Sequence, residues 1–93
     1  MIKLTVKSIL SGAWEDIDNG TEVSDYTNIE GLQSDINKKF PLSYYSIFFD
    51  DDTDIKDIAK RQPMFIATDI NDDTRIYHIT IEGIDPKLIT FKL

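Results

Sequence analysis

Four carboxylates within five residues, Asp50, Asp51, Asp52 and Asp54, form the densest patch of potential chemistry in the chain. Asp50, Asp52 and Asp54 take the first, third and fifth places of a calcium loop, where alternate carboxylates wrap a hard cation. Ile55 stands where that loop needs its turn-making Gly, and Arg61 where it needs a bidentate Glu. Asp69, Asn71 and Asp73 begin the same pattern and fail at the same two places, which hold Thr74 and Thr80. Neither segment is an EF-hand, and what their spacing leaves is a loose Mg²⁺ or Ca²⁺ site shared between acidic loops. That idea ranks below those that follow, so no residue is assigned to a metal. With a single His and no Cys, zinc is short of ligands.

Covalent and acid–base catalysis find as little. His78, the only histidine, falls in the middle of a strand pattern on the face opposite Tyr77, Ile79 and Ile81, where a half-packed strand histidine is the ordinary explanation. There is no G-x-S-x-G elbow, and no P-loop or dinucleotide-binding glycine fingerprint. Absent cysteines remove thiol nucleophiles and disulfides together. The expectation is therefore a protein that is not an enzyme, with no catalytic residue and no cofactor.

The 93 residues carry 17 acidic against 10 basic side chains, a net charge of -7, and 41% of them are hydrophobic. One α+β domain spanning 1–93 fits this length, since two cores of half the size would bury too little surface to offset chain entropy. No apolar run is long enough to span a membrane, and Met1 to Leu10 alternates instead of forming a basic head and a greasy stretch. The expected location is the cytoplasm.

The elements that must position these side chains follow from periodicity and breakers. Ile2, Leu4, Val6 and Leu10 alternate with Lys3, Thr5 and Lys7 in a first strand. Ser11 to Tyr26 reads as a loop with an Asn19–Gly20 hairpin signal. Thr27 and Glu30 form a capping box before Ile29, Leu32, Ile36 and Phe40, a helix stopped by Pro41. Ser43 to Phe49, apolar on both faces, is expected as a central strand. A short helix is expected at 54–61, capped by Asp52 or Thr53. Strands follow at Met64–Asp69, Arg75–Glu82 and Leu88–Leu93, the last offering Ile89 and Phe91 at an exposed edge. The expected fold is a single mixed sheet of about five strands, ordered β-α-β-α-β-β-β, with two helices on one face.

In such a fold the loops after parallel strands emerge at one end of the sheet. Glu15, Asp16, Asp18, Glu22 and Asp25, then Asp50, Asp51, Asp52 and Asp54, then Asp69, Asp72 and Asp73 would crowd that end. Lys38, Lys39, Lys60, Arg61 and Lys87 would collect at the other, making a strong dipole. Helix dipoles and Asp-rich turns explain much of this placement, but four carboxylates exceed what one helix start can use. Such a pole repels phosphates, so direct nucleic-acid binding and anionic membranes are disfavoured.

A basic protein surface is the fitting partner. Carboxylates on a rigid domain can mimic nucleic acid and occupy the channel of a nucleic-acid-handling enzyme, in the manner of an anti-restriction or anti-CRISPR protein. Trp14, followed directly by Glu15 and Asp16, is the candidate aromatic anchor. The expected contact residues are Trp14, Glu15, Asp16, Asp18, Asp50, Asp51, Asp52, Asp54, Asp72 and Asp73. The rival expectations are an immunity or antitoxin-like protein that neutralises a basic toxin, and a structural module assembling through a sheet edge. Ile outnumbers Leu 15 to 6 and Lys outnumbers Arg 8 to 2, a usage that suggests an AT-rich coding sequence, as in a low-GC bacterium, its phage or a plasmid.

Overall fold

In the computed structural model, which describes residues 1–12, 14–50 and 63–93, the alternation of the first residues becomes strand β1 (Ile2–Ser11). Leu4 is buried on one of its faces and Lys3 exposed on the other. The following stretch is largely a second strand, β2 (Asp16–Tyr26), antiparallel to β1, and not the expected loop. The turn between them is Gly12–Glu15, closed by the Gly12 amide donating to the Glu15 carbonyl at 3.0 Å.

Asn19–Gly20 does not turn the chain. Lys7 faces Thr21 and Ile9 faces Asp18, so Asn19 and Gly20 together oppose Ser8 as a β-bulge. Gly20 has φ 120°, and its amide donates to Asp18 Oδ1 at 2.9 Å. A tight hairpin turn and a glycine-containing bulge both use a residue at positive φ, so the same dipeptide serves either.

Helix α1 (Ile29–Lys39) begins one residue later than the capping box implies. Its N-cap is Asn28, whose Oδ1 accepts the Gly31 amide at 2.9 Å. Leu32, Ile36 and the C-capping Phe40 are buried against the sheet, and Lys38 and Lys39 occupy the last turn, where cations suit the helix dipole. β3 (Tyr45–Asp50), β4 (Met64–Asp69) and β5 (Asp72–Glu82) complete a five-stranded sheet in the order β2-β1-β5-β4-β3.

Every neighbouring pair in the sheet is antiparallel, which corrects the expected mixed sheet. The reason lies in α1, which leaves β2 at one edge and reaches β3 at the other, so the strands it joins never become parallel neighbours. β3 is correspondingly an edge strand, not the central one its two apolar faces suggested. The expected helix at 54–61 lies outside the described residues.

The last expected strand is not a strand. After a single 3₁₀ turn (Pro86–Leu88), the chain runs extended beside α1. There the Gln33 amide pairs with Thr90 as a second backbone would: Nε2 donates to the Thr90 carbonyl at 2.6 Å and Oε1 accepts its amide at 2.9 Å. Leu42 donates to the Lys92 carbonyl at 2.7 Å. Ile89, expected at an exposed edge, is 5% exposed within the core, and the Phe91 ring lies 4.9 Å from that of Phe65. Helix and tail thus form the second layer. They cover Leu4, Phe65, Ala67, Ile79 and Ile81 on one face of the sheet.

Tyr26 ties β2 to this layer through its hydroxyl, which donates to Asp35 at 2.6 Å. Burial, and then the hydrogen bond to that carboxylate, push the phenol from its ordinary 10.0 up to about 12. The folded state therefore holds this proton more tightly than the unfolded chain. Its stabilisation is complete below pH 10 and is lost as pH rises towards 12. Tyr26→Phe is expected to lower the unfolding free energy by about 1 kcal/mol at neutral pH. Denaturant titrations of both proteins should converge as the pH is raised through this window.

Candidate functional site

Strand register places the acidic segments. The end of the sheet that holds Leu10, Arg75, Asp69 and Tyr45 also carries the Gly12–Glu15 turn and the two-residue β4–β5 turn at Ile70 and Asn71. Glu15, Asp16, Asp18, Asp69, Asp72 and Asp73 therefore share this end, with Trp14 among them. Asp50 does not: it pairs with Met64 at the opposite end, because β3 runs antiparallel to β4. Asp51, Asp52 and Asp54 lie outside the described residues.

The expected convergence is thus partial: 15–18 and 69–73 share one end, while Asp25, opposite Lys3, and Asp50, opposite Met64, stand at the other, and the expected dipole is weaker. Helix α1 runs toward the Tyr45 end, where the Phe40 ring stands 5.3 Å from Tyr45, so Lys38 and Lys39 do not collect at the expected end, opposite the acidic turns. Lys39 reaches Glu22 at 3.3 Å.

Several of these carboxylates are engaged locally. Asp69 accepts the Asn71 amide, and Asp72 accepts both the amide and the hydroxyl of Thr74 and reaches Arg75 at 3.4 Å. The Thr74 hydrogen bonds, with the nearby Arg75 charge, hold the Asp72 carboxyl below its ordinary value. Asp18 accepts the Gly20 amide and stands 3.9 Å from Lys7. These three do turn and bulge chemistry first. Among the described residues, Glu15, Asp16 and Asp73 have no such side-chain commitment, and they share this end of the sheet with a tryptophan that is 98% exposed. Trp14 is therefore not a core-covering residue.

The face of the sheet away from α1 carries His78, half-buried between Lys7 and Ile66 in the cross-strand row that continues to Phe48. Among the described residues no group of three or more His, Asp or Glu side chains stands together as a metal site, and no helix is long and apolar enough to cross a membrane. No family model matches the chain, and neither curated proteins nor solved structures give a match. The features that sequence reasoning missed are the open β2 edge and the exposed β3 edge. β2 lacks the alternation by which a half-buried strand is recognised, and the apolar residues on both faces of β3 pointed to the middle of the sheet.

Proposed function

We propose that this is a non-enzymatic acidic binding protein acting in the cytoplasm. Its Trp14 turn docks on a basic surface of a nucleic-acid-handling enzyme and blocks it, as an anti-restriction or anti-CRISPR protein would. The observation that supports this most is Trp14 itself, 98% exposed and followed directly by Glu15 and Asp16. The docking surface is correspondingly smaller than the sequence suggested: Trp14, Glu15, Asp16 and Asp73, with Asp18 and Asp72 at its margin.

Magnitudes divide the labour between these groups. Burying an indole of about 200 Å² is worth roughly 5 kcal/mol before ordering costs, whereas each exposed ion pair contributes about 0.2–1 kcal/mol. Trp14 would therefore set the lifetime of the complex. The carboxylates would set the rate of encounter and its salt dependence.

The test is inhibition of DNA cleavage by a panel of restriction and RNA-guided nucleases. Inhibition should weaken with added salt, and Trp14→Ala should raise the half-inhibitory concentration by about tenfold or more without moving the melting temperature. Glu15→Gln with Asp16→Asn and Asp73→Asn should slow association and flatten the salt dependence. A complex indifferent to both salt and Trp14→Ala would refute the surface, and protection against a basic toxin in place of nuclease inhibition would point to the immunity-protein alternative.

A further inference from the structure

The two edges of the sheet are defended differently. β2 carries Asp16, Asp18, Glu22 and Asp25 and is kinked by the Asn19–Gly20 bulge, two devices that keep another strand from adding. β3 carries no charged residue from Tyr45 to Phe49, no described strand pairs with its outer side, and Phe48 is 63% exposed. We propose that β3 is the site at which a second copy of this chain adds, antiparallel about a two-fold axis perpendicular to the sheet, with Ile47 opposite its own counterpart.

Charge selects this occupant. Each copy carries a net charge of -7, so self-association requires a strip free of carboxylates, and of the two edges only β3 offers one. A basic partner finds no charge to read between Tyr45 and Phe49.

Side-chain parity then restricts the register, because residues opposed across an antiparallel pair must point to the same face. Centring on Ile47 sets Tyr45 opposite Phe49 and Ser46 opposite Phe48. The two Asp50 residues are then six positions apart, about 20 Å at a strand rise of 3.4 Å, beyond the screening length at physiological salt. Centring on Phe48 would instead bring Asp50 opposite Ser46 and draw the two carboxylates closer. In the favoured register the aromatic contacts Phe40–Tyr45–Tyr77 and Phe49–Phe65–Phe91 are extended across the junction on the helix side. The Trp14 turn lies toward the far edge of the sheet, so the dimer leaves it open, and this inference does not depend on the proposed function.

Six residues make a small interface, so the dimer is expected to depend on concentration. Sedimentation equilibrium of the full chain should show the mass rising from 10.7 kDa toward twice that value between about 10 µM and 1 mM. Phe48→Lys, at an already exposed position, should weaken the dimer by about tenfold or more at unchanged melting temperature, with Ser46→Lys as a second variant. Val23→Lys on β2 should leave it intact. Because the chain has no cysteine, Ile47→Cys should cross-link to itself on mild oxidation, whereas Val23→Cys should not. A constant monomer mass over that range, a dimer that survives both lysine variants, or equal cross-linking at Val23 and Ile47 would overturn the proposal.

Discussion

Gly83→Ala is expected to lower the unfolding free energy by about 2–4 kcal/mol, although the residue lies in an exposed turn. Gly83 has φ 98°, a conformation that L side chains rarely adopt, and an added Cβ would stand 2.6 Å from the Met1 carbonyl oxygen and 3.3 Å from the Ile2 Cα. Both neighbours are backbone, so relief requires moving the start of β1, which holds the buried Ile2 in the core. Gly31→Ala provides the internal control. Its Cβ would meet only ordinary contacts at 3.5 Å with Asn28 and Tyr26, inside the first turn of α1. Replacing a helical Gly with Ala there should raise stability by about 0.5–1 kcal/mol. Opposite signs in urea titration are the expected result, and equal effects would contradict the described geometry.

Ile89→Ala is expected to cost about 2–4 kcal/mol. On an exposed edge strand the same change would stay within about 0.5 kcal/mol, so its size reports directly where the tail lies. Ile89 is 5% exposed in the shared core, and the Gln33 amide keeps the neighbouring Thr90 in place with one donor and one acceptor. Gln33→Ala should therefore expose the tail as well. Hydrogen exchange at the Thr90 amide should rise sharply in that variant while the exchange of β1 and β5 amides changes little. Uniform acceleration throughout the chain would show that the tail does not open separately.

Much of the local structure was legible in the chain. The β1 alternation, the buried spacing of Leu32, Ile36 and Phe40, and the limits of β4 depend on neighbours within a few residues, and all are found in the structure. The Ser11–Tyr26 stretch was not legible as a strand. β2 lies at the sheet edge with most of its residues exposed, so no apolar repeat is needed to bury a face. The Leu88–Leu93 alternation was genuine, since Ile89 and Phe91 do pack inward, but its hydrogen-bonding partner is a side-chain amide 57 positions away. No periodicity announces such a partner.

The candidate docking surface divides along the same line. The sequence by itself determined the excess of carboxylates, the absence of cysteine and the two acids that follow Trp14, because these are properties of composition and immediate neighbours. Only the tertiary structure decided which acids stand together. With every strand pair antiparallel, alternate connections fall at opposite ends of the sheet, so Asp50 parts from Asp72 and Asp73 while Glu15 and Asp16 join them. Strand direction is fixed by which strands pair, and pairing is a competition among distant segments for one core that no local pattern records.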